Sequence, residues 1–173
     1  EIGQGTPESL SMILADEFGA DWATLNVEFG AASKAKFGSF QEVGGSFGMN
    51  LLWNELRESA AAARVLLIQS AAKKWSVSEE NCYTRASKVH QTGSTKTLLF
   101  ADLLADAMEL EIPELVTLKP KKDYQYIGQP LPAKKNIRVV EGSNKYGIDH
   151  KLEGMLYANF TRCPYLGGAL ISY

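Results

Sequence analysis

Gly3-Gln4-Gly5, followed at once by Thr6-Pro7-Glu8, has the residue types of a phosphate cradle. Glycine accepts positive φ and lets a ligand approach bare backbone. Thr6 is predicted as the N-cap of a helix and Pro7 as its first residue, where no N–H is needed. The unpaired N–H groups of such a first turn, aligned with the helix dipole, favour an anion, and Gln4 adds a donor and an acceptor. Gly44-Gly45-Ser46-Phe47-Gly48 repeats the pattern before a second helix, with Gly45, Ser46 and Gly48 as its candidate contacts. Residue types alone leave both segments open to a plainer reading, a capped tight turn and an exposed loop, and Glu8 would repel an anion.

The elements that must position these loops follow from periodicity. Pro7 to Phe18 is predicted helical, with Leu10, Ile13, Leu14 and Phe18 on one face, and Gly19 fits its end. Leu25, Val27 and Phe29 alternate with polar residues, which predicts a half-buried strand. Gly30 to Gly48 reads as a long loop without regular structure. Asn50 to Trp75 predicts the longest helix, with Leu52, Leu56, Ala60, Ala63, Leu67 and Ala71 in one stripe and Asn50 as its cap. Cys82–Val89 and Lys96–Phe100 predict a strand pair around Gln91-Thr92-Gly93-Ser94. Ala101 to Leu110 predicts a short helix with Leu103, Leu104 and Ala107 inward.

Composition narrows the function classes. The 173 residues suffice for one domain or two small lobes, and a net charge of −2 gives no general affinity for nucleic acid. No apolar run has the length of a membrane span. Cys82 and Cys163 make no disulfide scaffold or iron–sulfur ligand set, and His90 and His150 lack partners at metal-ligand spacing. The chain starts inside a motif and shows no targeting segment, so it reads as a piece of a longer protein.

Residues 112–135 carry Pro113, Pro120, Pro130 and Pro132 among clustered lysines, the composition of a solvated extended linker. It separates a first lobe, 1–111, from a second, 136–173. In the second, Gly154 predicts a turn, Met155 to Thr161 alternates as a strand, and Asp149 is placed to tie a loop.

Glu1-Ile2-Gly3-Gln4-Gly5, Ala15-Asp16-Glu17-Phe18 and Ala20-Asp21-Trp22, in that order, resemble the molybdopterin-binding large subunits of the xanthine oxidase and aldehyde oxidase family, most nearly its isoquinoline 1-oxidoreductase branch. The Gly44–Gly48 segment, Tyr146-Gly147-Ile148-Asp149, Glu153-Gly154-Met155-Leu156-Tyr157-Ala158, Arg162-Cys163-Pro164 and Gly167-Gly168 continue the likeness, so that it covers nearly the whole chain. The resemblance implies an α+β fold, helices packed on a small sheet followed by a partial α/β hammerhead lobe. It implies a molybdenum hydroxylase that inserts water-derived oxygen into an N-heterocycle or aldehyde, with molybdopterin cytosine dinucleotide as cofactor. Its implied partners are an iron–sulfur small subunit, the remaining lobes of the parent chain and a small-molecule substrate, with neither nucleic acid nor membrane. Many relatives act in the periplasm. Gly3, Gln4 and Gly5 would contact the pterin or its phosphates, with Gly45, Ser46 and Gly48 as a second contact. The family's active-site glutamate follows a glycine in a later segment and has no match here, so the chain alone is expected to be inactive; lacking most of the cofactor's walls, it is also expected to bind the cofactor weakly or not at all outside the full-length parent. Ile2, Phe47, Glu153 and Cys163 depart from the family pattern. They keep open a non-catalytic interaction module, and the first loop keeps open a small nucleotide-binding domain.

Overall fold

The computed structural model describes residues 5–28, 30–38, 41, 44–134, 136–169 and 171–172. The chain divides into two compact units, Glu1–Lys134 and Lys135–Tyr173. The first is α+β: helices pack on a small antiparallel sheet.

Helix α1 spans Thr6–Phe18 and helix α3 spans Gly48–Trp75, with the one-turn α2, Lys34–Phe37, between them. Both long helices begin two residues or fewer before their predicted starts. Gly5, not Thr6, is the N-cap of α1. It sits in the left-handed region at φ +73°, and its carbonyl accepts from the Ser9 amide and hydroxyl at 3.1 and 3.0 Å. α3 starts after Phe47 rather than at an Asn50 cap, and neither helix has a side-chain cap. α2 interrupts the predicted long loop because the Ser33 hydroxyl accepts from the Lys36 amide and caps one turn.

The sheet has three strands, β1 (Cys82–Arg85), β2 (Lys88–Gln91) and β3 (Thr97–Leu99), in that spatial order. The single strand expected over Cys82–Val89 is folded back on itself at Ala86-Ser87. Both residues take positive φ, 49° and 58°, the mirror-image geometry that matches strand twist. Phe100–Asp102 forms a 3-10 turn leading into α4, Leu104–Met108. Leu103 and Ala107 point inward as expected, whereas Leu104 is exposed. The core joins Leu67, Ala71 and Ala72 of α3 to Cys82 and Val89 of the hairpin and to Phe100, Leu103 and Ala107. Phe18 caps this core, its ring 4.7 Å from that of Phe100.

The expected strand around Leu25 does not form among the described residues. Positions 25–28 keep alternating burial but pair with no neighbouring strand. Phe29 lies outside the described residues.

In the second unit, α5 spans Asn136–Val140, and Asp149 accepts from the Tyr146 amide at 2.9 Å to close a 3-10 turn at Gly147–Asp149. Gly154 makes a turn at φ +70°, as its position suggested. Met155 to Thr161 forms no strand here. Alternation alone supplies no ladder partner, and apolar Leu156, Tyr157 and Phe160 face solvent. Among the described residues of this unit, none is buried.

Candidate functional site at the joined helix ends

α1 and α3 touch near both ends of α1. At one end a Cβ built on Gly48 would lie 3.4 Å from Thr6 Cγ2. At the other, Glu17 of α1 meets Arg57 and Arg64 of α3. The two helices therefore run in the same direction, with their N-terminal ends side by side. Parallel dipoles placed this way repel each other and add their positive ends. The first-turn amides of both helices have no intrahelical acceptor by construction, and neither helix draws a side-chain cap.

The lining of this end follows from local sequence. Pro7 fixes the first turn of α1 and is buried, while Thr6 beside it is half-buried against α3. Thr6 Oγ1 is buried with no hydrogen-bond partner among the described residues. On the α3 side, the Phe47 amide donates to the Gly44 carbonyl at 3.3 Å and closes a turn whose central residues, Gly45 and Ser46, have φ +57° and +59°. Glycine is favoured at position 45 by its positive φ, and a Cβ there would push the exposed Phe47 ring aside. Phe47 itself stays exposed. Of the sequence-predicted contacts, Gly5 and Gly48 thus belong to the two adjoining helix starts, with Gly45 and Ser46 in the turn just upstream of Gly48. Gly3 and Gln4 lie outside the described residues. Chemically, this end can accept a diffuse negative charge through main-chain N–H groups and one hydroxyl.

The opposite end is built from residues that the sequence reading passed over. Glu17 is 1% exposed. Its carboxylate takes Arg64 Nη1 at 2.6 Å, Arg57 Nε at 3.0 Å and the Lys119 amide at 2.7 Å. Asp16, 3% exposed, accepts from three successive amides, Gln125, Tyr126 and Ile127, at 2.7 to 3.1 Å. Arg57 Nη2 and Arg64 Nη2 donate to the carbonyls of Lys119 and Thr117, and Lys119 Nζ donates to the Asp16 carbonyl. The Tyr126 hydroxyl donates to the Ala20 carbonyl and accepts from the Trp22 amide. The extended linker expected from the prolines is interrupted by a 3-10 turn at Lys121–Asp123, and residues 117–127 form a strap docked at the C-terminal end of α1. Burial and the neighbouring Arg64 charge lower the Lys119 pKa below its ordinary value.

Two adjacent carboxylates in the last turn of a helix oppose the dipole preference. That conflict, with Arg64 inside an alanine-rich run, was the available signal. Among the described residues no cluster of histidine, cysteine or carboxylate side chains could hold a metal, and no helix is long and apolar enough to cross a membrane. Cys82 and Cys163 are both free.

No family model matches the chain. It is 32% identical over 168 residues to a membrane-bound aldehyde dehydrogenase [pyrroloquinoline-quinone] of Gluconacetobacter polyoxogenes, covering 91% of this chain and 21% of that protein. It is 26% identical over 210 residues to isoquinoline 1-oxidoreductase subunit beta of Brevundimonas diminuta, covering 98% of this chain and 26% of the relative. One relative is named a dehydrogenase and the other an oxidoreductase subunit, and the chain spans only about a fifth to a quarter of their lengths.

Proposed function

We propose that this chain is part of the cofactor-binding large subunit of a molybdenum hydroxylase acting on an N-heterocycle or an aldehyde. The observation that carries the proposal is the side-by-side placement of the N-terminal ends of α1 and α3, each without a side-chain cap. The residues present suit the anionic tail of molybdopterin cytosine dinucleotide. The buried, unpartnered Thr6 Oγ1 supplies a hydroxyl, and the lack of a Cβ at Gly5 and Gly48 leaves room against the backbone. When bound, the molybdenum cofactor supplies the redox chemistry of hydroxylation.

This chain's own residues would bind and orient. Gly3, Gln4 and Gly5 would hold the pterin or its phosphates, and the turn at Gly45 and Ser46 with Gly48 would present a second set of amides. Neither segment holds a proton-transfer group, so the chain has no catalytic base in this reading and is inactive alone. The iron–sulfur small subunit and further lobes of the parent chain are the proposed partners. The uncovered Leu156, Tyr157 and Phe160 supply apolar surface for such lobes. The same reading puts the parent in the periplasm.

A second reading is favoured by the name of the aldehyde dehydrogenase relative, which includes pyrroloquinoline quinone. That group is also polyanionic and would suit the same helix ends. Titration calorimetry with cytidine diphosphate and, separately, pyrroloquinoline quinone tests the two. Binding of the cytidine compound that weakens with added salt supports the first reading. Preferential binding of the quinone overturns it in favour of the second. Silence from both at millimolar ligand overturns a cofactor site complete within this chain.

A further inference from the structure

We infer that Glu17, with Arg57 and Arg64, sets the sliding register of α1 on α3 and thereby positions the paired helix ends, about three helical turns away along α1. The inference rests on the anion-site reading for its consequence, but not for its geometry.

Parallel helices can slide unless side chains stop them. Among the buried positions of these two helices, Ser11, Ala15, Ala60 and Ala61 are small, while Ile13 and Leu67 are large. Such small residues make shallow ridges that discriminate weakly between neighbouring registers. The ion-pair cluster discriminates strongly. Arg64 Nη1 reaches both the Glu17 carboxylate and the Glu17 carbonyl, at 2.6 and 2.7 Å, so side chain and backbone of α1 are fixed together. Arg57 approaches the other carboxylate oxygen at 3.0 Å, and its guanidinium lies 5.5 Å from the ring centres of Trp53 and Tyr124. The strap closes the remaining side through the Lys119 amide. A slip of one residue moves α1 by about 1.5 Å, enough to break these contacts. A helix transmits that slip along its length, so Thr6 would leave Gly48 by the same amount.

These three are positioning residues, since none lies at the ligand end. The test uses Arg57→Lys, which keeps the charge but loses the planar fork, beside Val89→Ala, a hairpin-core variant whose loss of Tm serves as a control. Two readouts are taken where circular dichroism shows all proteins folded. The first is the rate of disulfide formation in a Thr6→Cys/Gly48→Cys background, mapped by mass spectrometry. The second is the Kd for inorganic pyrophosphate.

Arg57→Lys is expected to slow the crosslink and to weaken pyrophosphate binding, by up to about a hundredfold for a full ångström of misplacement. Val89→Ala is expected to change neither. A crosslink rate untouched by Arg57→Lys, or slowed equally by both variants, overturns the register claim. A slowed crosslink with no pyrophosphate binding by the parent sequence upholds the register and overturns the anion site instead. If Arg57→Lys does not fold, Arg57→Gln is read the same way.

Discussion

The two ends of the α1–α3 pair are opposites. At the C-terminal end of α1, two buried carboxylates meet two guanidiniums, one ammonium-bearing strap and four main-chain amides, and each carboxylate oxygen has a partner. At the N-terminal end the caps lack side-chain bonds and a buried hydroxyl has no partner. A saturated cluster holds a structure together but has nothing left to offer a ligand. An unsaturated end costs stability and keeps its donors available. The difference is what the proposed binding end rests on, and it makes opposite predictions for mutations at the two ends.

The largest effect is expected at Glu17. Glu17→Ala leaves the buried Arg64 and the half-buried Arg57 without their carboxylate, and breaking a buried pair from one side costs about 3–5 kcal/mol. Urea denaturation measures it. A loss below about 1 kcal/mol would mean that the cluster is as dispensable as a surface pair, and the contrast between the ends would fail.

Asp16→Asn comes next. An amide in place of the carboxylate retains one acceptor and turns a donor toward the amides of 125–127, so at least one charge-assisted bond is lost, at about 2 kcal/mol. The strap should loosen locally before the unit unfolds. Trypsin should then cut after Lys121 and Lys122 faster than in the parent, under conditions where circular dichroism is unchanged. Equal cleavage rates would show that proline stiffness, rather than Asp16, holds the strap.

Much of the fold was legible because it rests on local pattern. The long helix from the alanine run, the short helix after the hairpin and the α+β class all follow from periodicity and propensity within one window. The split of Cys82–Val89 into two strands was not legible, because Ala86-Ser87 lacks the glycine or asparagine that ordinarily signals a positive-φ turn. The contact of Ser87 with the loop after α1 holds it instead: its amide donates to the Gly19 carbonyl and its hydroxyl accepts from the Asp21 amide. Likewise, the docking of residues 117–127 depends on pairs more than fifty positions apart, Arg64 with Thr117 and Asp16 with Gln125. The composition of the strap says extended but is silent on what it lies against. At the candidate site, the two glycine-rich segments were visible separately. Their apposition through Gly48 and Thr6 is a tertiary fact, and the orphan hydroxyl appears only once Thr6 moves from cap to first helical residue.

Thr6→Val sharpens the comparison by its sign. Removing a buried hydroxyl that has no partner, in a side chain of the same shape, should be neutral or slightly stabilising, by under about 1 kcal/mol. The same change should weaken pyrophosphate binding. A marked loss of stability would show that Thr6 has a structural partner and that the helix ends are less open than they look.

The smallest effect is a pH dependence at the saturated end. Burial and the adjacent Arg64 hold the Lys119 pKa below its ordinary 10.5. Between the lowered folded value and 10.5, the unfolded chain keeps a proton that the folded chain has released, so stability rises with pH across that window. Below the window the charged ammonium subtracts from stability. Cys82 acts in the opposite sense. Burial, helped by Glu79, raises its thiol above 9.0, so the folded chain keeps a proton that the unfolded chain loses and stability falls as pH climbs from 9.0. The two are separated by denaturation of the parent and of Lys119→Met across the alkaline range. The variant should lack the upward contribution and show a steeper alkaline decline. Parallel curves would mean that the Lys119 ammonium is no worse off in the fold than in water, and that the cluster around Glu17 and Asp16 accommodates all its charges without cost.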